Sequence, residues 1–170
     1  MLSRRVFCFA GAGLGLAGVT VAWATPLPKP AGTPILTISG RIGVTNAGAT
    51  AVFDRAMLED MGLTAFQTST PWYSAPVIFE GVKMTTLMDR VQARGTTLSV
   101  TALNDYVTEI PMEDFERYHP IMALKRDGHY MEVRDKGPLF MVYPYDSAPE
   151  LRSQRFYSRS PWQIARMEVL

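Results

Sequence analysis

The stretch TLSVTALNDYVTEIP, residues 97–111, decides the fold class. Thr97 to Leu103 alternates polar and apolar residues with the two-residue period of a half-buried strand. Asn104-Asp105 is turn chemistry, because both side chains bond to nearby backbone and tolerate a left-handed conformation. Tyr106 to Ile110 resumes a β-rich run and Pro111 closes it. Two strands joined this tightly pair antiparallel, with no crossover helix between them.

Outward from this hairpin the same texture repeats. Towards the C-terminus, Met112 to Tyr118 fits a short acidic helix. Ile121 to Lys125 and His129 to Val133 flank Asp127-Gly128, a strong hairpin signal. Leu139 to Tyr143 is an unbroken apolar run, the pattern of a central strand. Pro149 to Ser160 is polar and arginine-rich, and Gln163 to Leu170 reads as a closing strand. Towards the N-terminus lies the clearest helix. It carries Met84, Leu87, Met88 and Val91 at i, i+3, i+4 and i+7 and is closed by Gly95. Before it, Pro76 to Phe79 reads as a strand turning at Glu80-Gly81, and Leu63 to Thr68 as an extended run. Asp54 suits the N-cap of a helix through Met61, with Gly62 at its end. Ile35 to Ser39 reads as the first strand, which Gly40 to Val44 continues or bends. Asn46-Ala47-Gly48 is a turn, and Ala51 to Phe53 a short extended piece. Strands outnumber helices and the helices are not interleaved regularly, so the class is α+β and β-rich.

Residues 1–24 read as a signal peptide: Arg4 and Arg5, an apolar run from Val6 to Trp23, and Ala22-Trp23-Ala24 as a small-x-small cleavage site. Ser3-Arg4-Arg5-Val6-Phe7 has the twin-arginine form, so the expected location is the periplasm. An uncleaved leader would be the one route to a membrane. Residues 25–34 hold four prolines and read as an extended tether, leaving 35–170 as a single domain. Cleavage removes Arg4 and Arg5 and no acid, leaving 15 basic against 16 acidic residues. That balance gives no electrostatic footprint for nucleic acid. Cys8, the one cysteine, leaves with the leader, which excludes disulfides, thiolate metal sites and cysteine nucleophiles from the rest of the chain.

No chemical motif stands out. His119 and His129 have no metal-ligand spacing, and no serine or threonine is tied by motif to a histidine. The acidic pairs Glu59-Asp60 and Glu113-Asp114 read as solvated helix faces. Met84, Met88, Met122 and Met141 fall on core positions. No residue is singled out as catalytic or as a metal ligand. Three features rise above this background: Thr70-Pro71-Trp72, Asn104-Asp105-Tyr106, and Arg134-Asp135-Lys136-Gly137-Pro138.

Taken in order, these segments resemble the molybdopterin-binding domain of the sulfite oxidase family. The resemblance runs from Gly40 through Trp72, Phe79-Glu80-Gly81-Val82, Leu87, Asn104-Asp105-Tyr106 and Ile110-Pro111. It continues through Ala123-Leu124, Asp127-Gly128, Gly137-Pro138, Tyr143-Pro144 and Trp162 with Ile164. It is most similar to small, exported, single-domain members labelled oxidoreductases, and it implies a β-rich α+β fold with a cofactor cleft.

The resemblance also marks departures. Family members ligate molybdenum through a cysteine on the loop that here reads Gln67-Thr68-Ser69-Thr70-Pro71-Trp72, where no thiolate is present. Of three cationic positions implied for the pterin phosphate, Lys136 keeps one, while Phe140 and Pro161 stand at the others. Two lost charge-assisted contacts, about 1.5–3 kcal/mol each, weaken such binding on the order of a hundredfold or more. The leading expectation is therefore a non-catalytic module holding a small anionic ligand or a periplasmic protein partner, with no molybdopterin. The alternative is a molybdopterin-dependent oxidoreductase with Arg134, Lys136 and the arginines at 152, 155 and 159 as substitute anchors. In either case Trp72, Asn104, Asp105, Tyr106, Arg134 and Lys136 are the expected cleft residues.

Overall fold

Leu98, Val100 and Ala102 of strand β5 (Thr97–Ala102) are buried, and the intervening Thr97, Ser99 and Thr101 are half-exposed. This is the alternation read from the sequence, and it places one face of β5 on the core. β6 (Val107–Pro111) pairs with it antiparallel, and Asp105 takes the left-handed conformation that the turn demands, at φ 62°. The computed structural model describes residues 26–170, so the expected leader over 1–24 lies outside the described residues.

β5 belongs to a sheet with β1 (Pro34–Gly40), β2 (Ala51–Asp54) and β10 (Ile164–Val169), in the order β2-β1-β10-β5-β6. The first and last strands, β1 and β10, are parallel neighbours, whereas the other pairs in this sheet are antiparallel. The second sheet is built on β7 (Ile121–Arg126), with β4 (Val77–Lys83) and then β3 (Thr64–Thr68) on one side. β8 (His129–Tyr130) and β9 (Phe140–Val142) share its other side. The helices are short: α1 (Arg55–Glu59), α2 (Met84–Arg90), α3 (Glu113–Tyr118) and α4 (Gln154–Ser158). Among the described residues no helix is long and apolar enough to cross a membrane.

Several local expectations need correction. No turn forms at Glu80-Gly81; β4 runs on to Lys83 with an irregularity in its pairing to β7 between those two residues. The glycine serves close approach instead, because a Cβ at Gly81 would collide with the Met122 carbonyl of β7. Similarly, α2 ends before Gln92 at φ 50°, and Gly95 makes room for the Leu170 carbonyl rather than capping the helix. The second arm of the Asp127-Gly128 hairpin stops at Tyr130, and Val133–Asp135 is a 3-10 turn. The hairpin itself has positive φ at both turn residues, 49° and 77°, as a two-residue loop with the strand twist requires. Leu139 to Tyr143 is fully buried but supplies only the three-residue β9, paired to β7 on one side and bridged from Phe140 to Trp162 on the other. The segment read as polar and arginine-rich, 149–160, folds into a 3-10 turn and α4.

The proline-rich strap is extended but does not hang free. Leu27 is buried, and Asn46 donates through Nδ2 to the Pro28 carbonyl at 2.6 Å. Asp54 caps α1 by accepting from the Met57 N–H at 2.9 Å. Its other oxygen accepts from Ala31 at 2.9 Å and Gly32 at 2.7 Å. These backbone donors, Met57 first and Gly32 next, hold the carboxyl below its ordinary value of 3.8. The pKa is lower in the folded state, so the stabilisation is full above the ordinary carboxylate range and is lost as pH falls through the folded value. Asp54→Ala is accordingly expected to lower the melting temperature at pH 7, and the gap to wild type should narrow below about pH 4. A pH-independent gap in thermal melts would refute this. Gly81→Ala is expected to destabilise by roughly 3 kcal/mol or more, through collision with backbone. Gly48→Ala, with positive φ but open space around it, should cost about 1–2 kcal/mol, both variants being measured by urea titration.

Candidate functional site

One cleft of about 390 Å³ opens where four segments meet. The loop after β3 contributes Pro71 and Trp72, and the β5–β6 turn contributes Ala102, Asn104 and Tyr106. α4 adds Gln154, Tyr157 and Ser158, and the approach to β10 adds Ser160, Pro161 and Trp162. Local chemistry sets each wall. The Asn104 side chain accepts from the Tyr106 N–H at 3.3 Å, which closes the turn and turns Tyr106 towards the cleft. Thr108 donates through Oγ1 to the Ser158 carbonyl at 3.0 Å, and the Leu103 N–H donates to the Gln163 carbonyl at 2.8 Å. These two bonds tie the hairpin to α4 and to β10.

Aromatic rings form the floor. Trp72 meets Phe140, Tyr157, Trp162 and Tyr145 edge-on, with centroids 5.3, 5.8, 5.7 and 6.1 Å away. Tyr145 is buried, which pushes its phenol well above the ordinary value; its hydroxyl lies 2.5 Å from Ser160 Oγ. Ser160 Oγ in turn donates to the Phe156 carbonyl at 2.8 Å.

α4 is anchored from beneath by an ion pair. Arg159 meets Asp114 at 2.8 Å, and the Tyr143 hydroxyl donates to the same carboxylate oxygen at 3.0 Å. Burial, and then the Asp114 charge, push the Tyr143 phenol far up. Asp114 therefore does not lie on a solvated helix face, as its neighbour Glu113 does; its side chain is only 3% exposed. Nothing in the local EDFER pattern separates the two acids. What selects Asp114 is Arg159, a partner remote in sequence. Glu59, the other acid read as solvated, is half-buried and bonds Lys125 at 3.1 Å and Tyr130 at 2.7 Å.

The residues expected in the cleft are brought together in part. Trp72, Asn104 and Tyr106 line it. Asp105 points away and faces Arg166 at 3.4 Å. Arg134 is exposed and paired with Glu132 at 2.6 Å. Lys136 stands behind the wall, its ammonium 4.6 Å from the Trp162 ring centroid and 5.8 Å from that of Tyr73. Sequence reasoning missed Tyr157, Gln154 and Ser158, because it read 149–160 only as polar and arginine-rich. The signal was the density of rings from Phe156 to Trp162.

The loop where the resemblance implies a cysteine, 67–72, is occupied with its own bonds. Thr68 is fully buried, and its hydroxyl accepts from the Asp146 N–H at 3.2 Å. The Ser69 N–H donates to the Asp146 carboxylate at 2.6 Å, and Thr70 Oγ1 accepts from the Trp72 N–H at 3.3 Å. Phe140, where the resemblance implies a phosphate-binding arginine, is a buried ring behind Trp72. The cleft lining carries no charged side chain among the described residues, so these groups do not fit a phosphate-bearing, thiolate-ligated cofactor.

Removing the carboxylate with Asp114→Ala strands a largely buried guanidinium and should cost about 3 kcal/mol. The double variant Asp114→Leu/Arg159→Met should lose less than this single change in urea unfolding. A double variant that loses more would disprove the assignment.

No protein-family model matches the chain, and no curated protein matches it either. Among solved structures it is similar to the sulfane dehydrogenase SoxCD from Paracoccus pantotrophus. The TM-score is 0.58 at 15% identity, over 79% of this chain and 37% of that one. The chain thus spans well under half the length of that protein. At this identity the likeness shows the fold alone: a strand-rich α+β arrangement of two sheets, of the sulfite-oxidase type.

Proposed function

We propose that this is an exported, periplasmic binding module on a sulfite-oxidase-type scaffold, whose cleft takes a small ligand or a protein partner and performs no molybdenum chemistry. The carrying observation is the lining of the cleft, which is aromatic, amide and hydroxyl with no thiolate and no cation. The arginines that would have to replace the missing anchors are engaged elsewhere. Arg134 pairs with Glu132, Arg152 with Asp146 at 2.9 Å, and Arg159 with Asp114. Arg155 packs against Phe156 at 5.5 Å. Export rests on Ser3-Arg4-Arg5-Val6-Phe7 and the apolar run behind it.

The test is metal analysis and pterin fluorescence on protein purified from the periplasm of cells competent for molybdenum cofactor synthesis. We expect molybdenum far below one atom per chain and no pterin emission after denaturation. Stoichiometric molybdenum would replace this reading with that of an oxidoreductase.

A further inference from the structure

We infer that the cleft binds an uncharged saccharide of one or two rings. The inference rests on the proposed reading of this cleft as a ligand site, and charge is its first argument. An anion entering the cleft would lose water and meet no cation, since Lys136 lies outside the lining against the Trp162 ring. A cation would lose water too and meet no carboxylate, because Asp105 lies outside the lining and faces Arg166. A neutral ligand avoids both penalties.

Shape and hydrogen-bonding capacity narrow the class. Trp162 and Tyr157 stand at 73° and 72° to the Trp72 plane, so the apolar walls meet as a corner. A corner receives a ring with thickness, whose C–H faces rest on the indoles and phenols. Around it sit polar groups with capacity to spare. The Asn104 oxygen is used by the turn, while its NH2 has no partner among the described residues. Among those residues the Tyr106 and Tyr157 hydroxyls also have none, and Gln154 spends only its NH2, at 3.4 Å on Ser158. Donors and acceptors spaced around an aromatic corner match the hydroxyl rim of a sugar ring. The volume of about 390 Å³ is room for one or two such rings.

The chain has three tryptophans: Trp23 in the expected leader, and Trp72 and Trp162, both in the cleft. Indole fluorescence of the exported protein therefore reports on this site. The probes are N,N′-diacetylchitobiose and maltose, set against inorganic phosphate, benzoate and tetramethylammonium. A saturable change is expected with at least one sugar and with none of the ions. Asn104→Ala and Gln154→Ala should each weaken sugar binding about fivefold or more, the loss of one hydrogen bond, while Lys136→Gln leaves it within twofold. Circular dichroism of each variant confirms that it is folded. A response to phosphate or benzoate that Lys136→Gln abolishes would overturn the saccharide inference and leave the binding-module reading standing. Silence towards both sugars at millimolar concentration would overturn the inference as well. Stoichiometric molybdenum would remove the reading beneath it.

Discussion

Trp72 is the point on which the two sheets and the cleft depend together. Its ring is met edge-on by Phe140 from β9, Trp162 from the approach to β10, Tyr157 from α4 and Tyr145 from the loop after β9. Phe140 carries the contact on to Phe79 of β4 at 5.8 Å, and Tyr145 carries it to Tyr143 at 6.4 Å. Each perpendicular pair adds about 0.5–1.5 kcal/mol beyond area burial, so the four contacts at Trp72 form a substantial local store of stability. Trp72, Tyr157 and Trp162 also line the cleft, with Phe140 and Tyr145 buried behind them. A lining backed by core rings is rigid, because Trp72 cannot move without unpacking Phe140 of the second sheet.

The polar arrangement follows from that packing. Phe140 is buried among aromatic rings, and a guanidinium in its place would have no water and no anion. The remaining charges around the cleft close on one another before they reach it: Asp105 with Arg166, Arg134 with Glu132, Arg152 with Asp146, Arg159 with Asp114. Two of these pairs do mechanical work. Arg159 holds the end of α4, and the Asp146 carboxylate grips the Ser69 N–H of the loop that carries Trp72. The exposed pairs contribute little stability themselves. Their effect on the site is to leave the interior of the cleft without net charge.

Much of the fold was legible because it rests on local periodicity. The alternation in Thr97 to Leu103, the helical spacing from Met84 to Val91, and the Asp54 cap each depend on neighbours within a turn or two, and each appears as read. Failures came where a distant strand sets the rule. Gly81 looks like a turn residue in isolation, but what it accommodates is the Met122 carbonyl on β7. Gly95 likewise makes way for Leu170 at the far end of the chain. A glycine signals that something approaches closely or that φ is positive, and sequence alone does not say which.

The site was legible by half for a related reason. Trp72, Asn104 and Tyr106 line the cleft, and each belongs to a short turn-like segment that stands out between strands in the sequence. Arg134 and Lys136 were grouped with them by sequence order, yet the 3-10 turn at Val133–Asp135 sends Arg134 out to Glu132. The left-handed residue at Lys136, φ 64°, then lays its ammonium on the Trp162 wall instead of in the cleft. Charge read along a chain marks where a cation begins, whereas backbone dihedrals decide where it ends. Here a few such angles keep the Lys136 ammonium out of the cleft lining and set it against the outer side of the Trp162 indole.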